Sequence, residues 1–257
     1  MNNILEINNI SKIFAENNSL CKAIDNVSLT LTKKEIVCLM GPSGCGKSTV
    51  LRIISGLDTA DSGIINGDEW ISADSLHTAM VFQEHSLFPW LSVAENIGYG
   101  LRMKTRFSSE QQVNQKVSQL LALVRMEEFA NALPHQLSGG MKQRVAVARA
   151  LAVEPDILLM DEPFSALDPF SRRELQDEVL NIRYHLDTTF FIVTHNPEEA
   201  VYLANRVIIL TKRPATVLKE VTIPFSYPRN MVDPEVLDLI QEVTEMITSG
   251  RGKAEVN

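Results

Sequence analysis

The sequence predicts an α/β fold built on a mainly parallel sheet, and three observations lead there. First, the unbroken apolar run Ile36-Val37-Cys38-Leu39-Met40 leads straight into a Gly-rich loop and then a helical stretch. Such a run is what a strand buried on both faces carries. Second, two more strand-like runs, 156–160 and 189–193, flank a helical stretch over 171–186. Alternation of strand and helix is the pattern of a parallel sheet with right-handed crossovers. Third, residues 93–133 are helical in composition and Gln- and Ser-rich in places. They read as a helical subdomain inserted between two parts of the sheet.

Taken in order, residues 4–7 and 27–31 read as strands, the second with clear alternation. A strand over 36–40 precedes a helix over about 47–56, and 78–82 looks like a further strand. Pro134 closes the inserted helical stretch. A helix follows Ser138-Gly139-Gly140 and runs to about 153. From Pro214 onward the chain offers a strand over 216–221, a Pro-containing link and a helix over about 234–247.

A chain of 257 residues with 45% hydrophobic residues can bury a sizeable core. Its net charge of -8 argues against a nucleic-acid partner, which would call for a basic face. Cys21, Cys38 and Cys45 have no metal-like spacing, and a reducing compartment is the plain reading. The start, Met1-Asn2-Asn3-Ile4-Leu5-Glu6, lacks the basic start and apolar core of a signal peptide. No apolar run approaches the roughly 18 residues that span a bilayer. Any membrane role is therefore expected to go through a partner.

The loop Gly41-Pro42-Ser43-Gly44-Cys45-Gly46-Lys47-Ser48-Thr49 contains the full G-x-x-x-x-G-K-[ST] pattern. Its glycines let backbone N–H groups turn toward phosphate oxygens, and the helix that follows adds its positive end. Lys47 is expected at the β- and γ-phosphates and the Ser48 hydroxyl at Mg²⁺. Alkylation of Cys45 is expected to place bulk beside the phosphates. Ile157-Leu158-Leu159-Met160-Asp161-Glu162 is an apolar run ending in two carboxylates, at the strand end where open α/β sheets bind ligands. Asp161 is the candidate Mg²⁺ ligand and Glu162 the candidate to polarise an attacking water.

His195 ends the 189–193 run, which is expected beside the Asp161-Glu162 strand; that placement suits a contact to phosphate or water. Gln83 follows the 78–82 strand, where its amide suits Mg²⁺ or that water. Ser138-Gly139-Gly140 opens a helix. Two readings stand level there: a second anion site, or an ordinary helix start capped by serine.

Together these motifs, in this order, resemble the ATP-binding cassette (ABC) family of ATPases over about residues 4–225. The resemblance implies a P-loop NTPase cassette: a mainly parallel sheet core, an N-terminal antiparallel β subdomain and an α-helical subdomain over about 90–150. Residues 226–257 would be a short helical tail. It implies ATP and Mg²⁺ as ligands and a head-to-tail cassette dimer, homomeric or with a paralogue. There Ser138, Gly139 and Gly140 act in trans on the partner's phosphate loop, and Asp168 of Ser165-Ala166-Leu167-Asp168 communicates across the dimer. It also implies Phe14 as the aromatic that stacks on adenine, against the alternative of a core residue. Glu162, His195 and Gln83 match the catalytic Glu, switch His and Gln-loop residue. Met141 stands where the family usually has Gln.

Phe82-Gln83-Glu84-His85-Ser86-Leu87-Phe88-Pro89-Trp90 and Tyr227-Pro228-Arg229 look like the importer ATPases for nitrate, sulfonate, taurine and bicarbonate. That group implies a transmembrane permease docking near residues 88–96, a solute-binding protein acting indirectly, and a peripheral location on the cytoplasmic face. Trp90 is either a marker of that surface or a structural aromatic. The competing classes are a soluble ABC ATPase and a nucleotide kinase. The single cassette, acidic balance and absence of a heptad run disfavour the first; the Ser-Gly-Gly turn and His195 disfavour the second. An exporter cassette is commonly fused to its membrane domain.

Overall fold

The computed structural model describes residues 3–16, 19–67, 77–84, 86–103 and 109–249. The chain begins with β1 (Asn3–Glu16), β2 (Ser19–Thr32), β3 (Ile36–Met40), α1 (Lys47–Ile54), β4 (Ser62–Gly67) and β5 (Thr78–Val81). The helices α2 (Val93–Met103), α3 (Glu110–Leu123) and α4 (Gly139–Ala152) follow, then β6 (Ile157–Asp161) and α5 (Pro169–His185). The last elements are β7 (Thr189–Val193), α6 (Pro197–Leu203), β8 (Arg206–Leu210), β9 (Val217–Thr222) and α7 (Pro234–Ser249). They fall into two compact units, one within Met1–Leu76 and Thr189–Asn257, the other His77–Thr188. The α/β class expected from the sequence is the class observed.

In the first unit β3 lies between β7 and β8 and is parallel to both, and β9 closes the edge antiparallel to β8. All residues of β3 and β7 are buried, so both strands carry the expected bounds. A second sheet has the order β2-β1-β4, all antiparallel. Here the expectation of strands over 4–7 and 27–31 is corrected, because β1 and β2 each run 14 residues. Bulges reset their alternation: register shifts flank Ile10, and Asn9 and Asn26 stand at φ 53 and 50. Asparagine tolerates that left-handed conformation better than most residues, and each bulge flips which neighbours face the core. β4, α6 and β8 were not anticipated. Yet β8 is an Arg followed by four buried apolar residues, the same signal that marks β3.

The tail after β9 is tied to α6. Arg229 is buried, and its Nη1 donates to Val201 O at 2.6 Å and Tyr202 O at 3.1 Å. The Tyr227 hydroxyl donates to Leu203 O at 2.5 Å. These groups satisfy carbonyls that a helix C-terminus leaves without intrahelical partners.

In the second unit β5 pairs in parallel with β6, from Thr78 opposite Ile157 to Val81 opposite Met160. The helical stretch over 93–133 resolves into α2, α3 and a 3₁₀ turn at Glu127–Phe129. Pro134 opens a second 3₁₀ turn, where its missing N–H costs nothing. Val93, Ile97 and Leu101 of α2 are fully buried, as are Val145, Val147 and Ala148 of α4.

Candidate functional site

The Gly-rich loop between β3 and α1 has the geometry of a phosphate cradle. Gly44 and Gly46 stand at φ 73 and 119, conformations that a side chain would strain. Gly46 is the N-cap of α1 and brings no side chain to cap it. Lys47 is buried, and its Nζ donates to Gly41 O at 3.0 Å and Pro42 O at 3.1 Å. Its ammonium is thus folded over the loop. Pro42, Ser43, Gly44 and Cys45 line a cleft of about 550 Å³, whose other wall is Lys212 and Arg213. Among the described residues, none beyond its chain neighbours lies within 4 Å of a Cβ built at Gly44, so the loop's backbone is open on that side. Ser48 is exposed in the first turn of α1, and Thr49 is half-buried beside it. A nucleotide fits such a cradle: a bare backbone concavity, a helix start, a lysine and room for a ligand.

Cys45 borders this cleft, but the residue is only 1% exposed. A Cβ at Gly41 would come within 2.9 Å of its Sγ. Burial pushes the thiol above its ordinary value, with Lys47 pulling it partly back. The thiolate is the reactive form. Cys21 is half-exposed. Treatment with an alkylating reagent at neutral pH is therefore expected to modify Cys21 first. Cys45 should react slowly and faster as pH rises, as followed by peptide mass spectrometry. Rapid modification of Cys45 at neutral pH would contradict this.

Phe14, on β1, is half-buried rather than part of the core. Lys12 Nζ stands 5.4 Å from its ring centroid and pairs with Asp58 at 2.8 Å. His195 is exposed just beyond β7. Its neighbours fix the backbone on either side of it. Buried Thr194 donates to Glu199 Oε2 at 2.6 Å and accepts from Asn196 N at 3.1 Å, and Asn196 caps α6.

In the second unit, Asp161 is the last residue of β6, and Asp161 and Glu162 are both half-buried. Glu162 stands at φ 46, a left-handed conformation that costs a non-glycine residue of order 1–3 kcal/mol. The turn that holds it is built from Ser165, whose N and Oγ both donate to Glu162 O, at 3.2 and 2.9 Å. Gln83 Nε2 reaches the same Ser165 Oγ at 3.5 Å. The structure thus brings Gln83 and the Glu162 turn together through a residue that sequence reasoning placed only within a motif.

Ser138 caps α4, its Oγ accepting from Met141 N at 3.3 Å. That bond uses the backbone of residue 141, so Met141 in place of Gln leaves it intact. A Cβ at Gly140 would stand 3.3 Å from Ser171 Cβ, and one at Gly139 3.9 Å from Leu167 Cδ2. The Ser-Gly-Gly turn therefore lies against the start of α5. Asp168 caps that helix, accepting from Phe170 N and Ser171 N at 3.1 Å each. The Ser171 hydrogen bonds hold its carboxyl below the usual carboxylate range.

The second unit also carries an aromatic surface. Phe88 lies 4.5 Å from Tyr99 and 5.7 Å from Trp90, ring centre to ring centre, with the Arg149 guanidinium 5.4 Å from its own. Trp90 is 71% exposed and Met103 69%, so Trp90 is not a core aromatic. Buried Asn96 shapes the loop beneath them. It accepts from Phe88 N at 2.9 Å and donates to the carbonyls of Phe88, Leu91 and Ser92 at 3.2, 2.9 and 3.0 Å.

Sequence reasoning missed Lys212 and Arg213 altogether; the only signal was a basic pair following an apolar run in an acidic chain. Among the described residues, no group of three or more His, Cys, Asp or Glu is arranged to hold a metal. No described helix is long and apolar enough to cross a membrane.

Known proteins resemble this chain along most of its length. An aliphatic sulfonates import ATP-binding protein of Bacillus thuringiensis subsp. konkukian is 41% identical over 247 residues, covering 96% of each chain. A nitrate import ATP-binding protein of Synechocystis is 38% identical, covering 95% of this chain and 94% of its own. Among solved structures, a dimeric ATP-binding cassette in a post-hydrolysis state, bound to ADP and phosphate, superposes with a TM-score of 0.75. It is 31% identical and covers 86% of this chain and all of its own. Residues 24–165 match the ABC transporter family. With that match spanning more than half of its length, the chain belongs to the ABC transporter family.

Proposed function

We propose that this chain is the ATP-binding and ATP-hydrolysing subunit that energises an importer for a small solute of the sulfonate or nitrate kind. The observation that carries the reading is the phosphate cradle: left-handed Gly44 and Gly46, with Lys47 folded over the carbonyls of Gly41 and Pro42. Relatives from importers of both solutes support the solute class.

In this reading Gly41, Pro42, Ser43, Gly44, Cys45, Gly46, Lys47, Ser48 and Thr49 hold the phosphates of ATP, and Phe14 stacks on the adenine. Glu162 accepts a proton from the attacking water. Gln83 and His195 orient that water and the γ-phosphate. Ser48, Gln83 and Asp161 are the residues that would hold Mg²⁺. One hydroxyl, one amide and one carboxylate suit that cation, which keeps waters and substrate phosphates in its shell. When bound, Mg²⁺ supplies charge neutralisation at the phosphate oxygens.

Ser138, Gly139 and Gly140 act in trans in a head-to-tail dimer, with Asp168 communicating across it. ATP binds the closed dimer better than the open one, and that differential affinity drives the cycle. The permease docks on the surface around Phe88, Trp90 and Tyr99, at the cytoplasmic face of the membrane, and a solute-binding protein feeds it. Residues 226–257, of which 250–257 lie outside the described residues, are the tail to a cassette of residues 1–225 in this reading.

Reconstitution with a permease for sulfonates or for nitrate tests the reading. ATP hydrolysis should require Mg²⁺, and transport of the solute should require ATP. Trp90→Ala should uncouple the two while leaving nucleotide binding in place. A chain that binds ATP and hydrolyses it, yet neither associates with any permease nor supports transport, would contradict the importer role.

A further inference from the structure

The loop joining β8 to β9 is fixed by its own polar groups. Thr211 N donates to Thr216 O at 2.9 Å, Thr216 N donates to Thr211 Oγ1 at 2.9 Å, and the two hydroxyls lie 3.1 Å apart. Buried Ala215 stitches the loop to β2, donating to Ala23 O at 2.9 Å and accepting from Asp25 N at 2.9 Å. Lys212 and Arg213, at the tip, are exposed. A rigid, self-bonded loop thus presents two adjacent cations.

The phosphate loop is packed against this second loop. A Cβ at Gly41 would lie 3.1 Å from Leu210 O, and one at Gly46 would lie 3.9 Å from Ala215 Cβ. That close approach is why the two cations share one cleft with Ser43, Gly44 and Cys45. Among the described residues, no carboxylate lines it. Arg213 Nη1 also reaches Cys21 Sγ at 3.4 Å. Cys21 is the cross-strand partner of Phe14, and directly opposed residues of an antiparallel pair project on the same face. Arg213 therefore links the phosphate cradle to the face that carries the aromatic ring.

We propose that Lys212 and Arg213 form a second anion-contacting wall for the polyphosphate of the nucleotide held by residues 41–48. The inference rests on the nucleotide reading given above. A guanidinium offers a planar fork to two phosphate oxygens, and an ammonium offers a point charge. The hydrogen bonds of Thr211, Ala215 and Thr216 set the loop backbone before the ligand arrives, so binding has to order only the two exposed side chains. Two cations at short range favour the triphosphate over the diphosphate, and salt weakens that preference.

Fluorescent ATP and ADP analogues, titrated into the full chain at low and high salt, provide the test. The set is wild type, Lys47→Ala, Arg213→Gln, the double variant Lys212→Gln/Arg213→Gln, and Arg213→Lys, each with its melting temperature. The double variant should bind the triphosphate roughly tenfold more weakly at low salt, with a smaller loss for the diphosphate and a smaller loss at high salt. Arg213→Lys should restore part of the loss relative to Arg213→Gln. Unchanged affinities in a folded double variant, while Lys47→Ala loses binding, would overturn this inference and leave the nucleotide reading standing. Absence of binding by wild type would overturn both. If the double variant bound nucleotide normally but failed to dimerise with it, the two cations would belong to a subunit contact, and the proposal would fall.

Discussion

Replacing Glu162 by glutamine is expected to leave ATP binding intact and to cut turnover by about a hundredfold or more, the usual scale for loss of a general base. The substitution keeps the shape and removes only the ability to take up a proton. Two features single out Glu162 over its neighbours. It follows β6 directly, at the C-terminal strand end where open α/β sheets present ligands. It is also held in a left-handed conformation by two hydrogen bonds from Ser165 to its carbonyl. Backbone strain of that kind persists only where the surroundings enforce it, and it clusters at functional sites. Equilibrium binding of ATP and steady-state phosphate release, measured on the same preparation, separate the two effects. A variant that binds ATP and turns over near the wild-type rate would remove Glu162 from its role. Glu162→Asp is a useful companion, since its shorter carboxylate retains the base but not its reach.

Lys47→Ala is expected to weaken nucleotide binding by about a hundredfold or more, on the order of 3 kcal/mol, because it removes charge-assisted hydrogen bonds to phosphate. The structure adds a second reason. The Lys47 ammonium ties together the carbonyls of Gly41 and Pro42, so its loss also loosens the cradle before any ligand arrives. Calorimetric titration reads the first effect. A melting curve without nucleotide reads the second, which should be small beside it. Affinity within a few-fold of wild type would place the phosphates elsewhere.

The parts of this molecule that the sequence revealed share a physical cause. β3 and β7 are buried on both faces, so their apolar runs are unbroken and their limits could be read directly. The phosphate loop was legible because its chemistry demands particular residues at a fixed spacing along the chain. β1 and β2 were cut short because bulges at Asn9 and Asn26 break the alternation that identifies a half-buried strand. β8 was overlooked despite a run like that of β3. Contacts around the candidate residues of each unit were hidden for a different reason. Ser165 bridges Gln83 and the Glu162 turn across 82 positions, and Arg213 reaches Cys21 across 192. No local pattern encodes such pairs; they exist only once the strands have met. Ser138 shows the limit most clearly. Its role as N-cap of α4 is met within the chain, and that bond is compatible with either of the two readings that the sequence leaves open.

Those two readings separate in a single mixing experiment. Lys47→Ala disables the phosphate loop and Ser138→Arg blocks the Ser-Gly-Gly turn, and each variant alone should be inactive in ATP hydrolysis. In a dimer of one with the other, a trans arrangement gathers both defects into one composite site and leaves the second intact. Hydrolysis should therefore reappear when the two inactive proteins are mixed. A mixture as inactive as its parents, or a Ser138→Arg protein that hydrolyses ATP normally by itself, would contradict a site completed by a second copy of the chain.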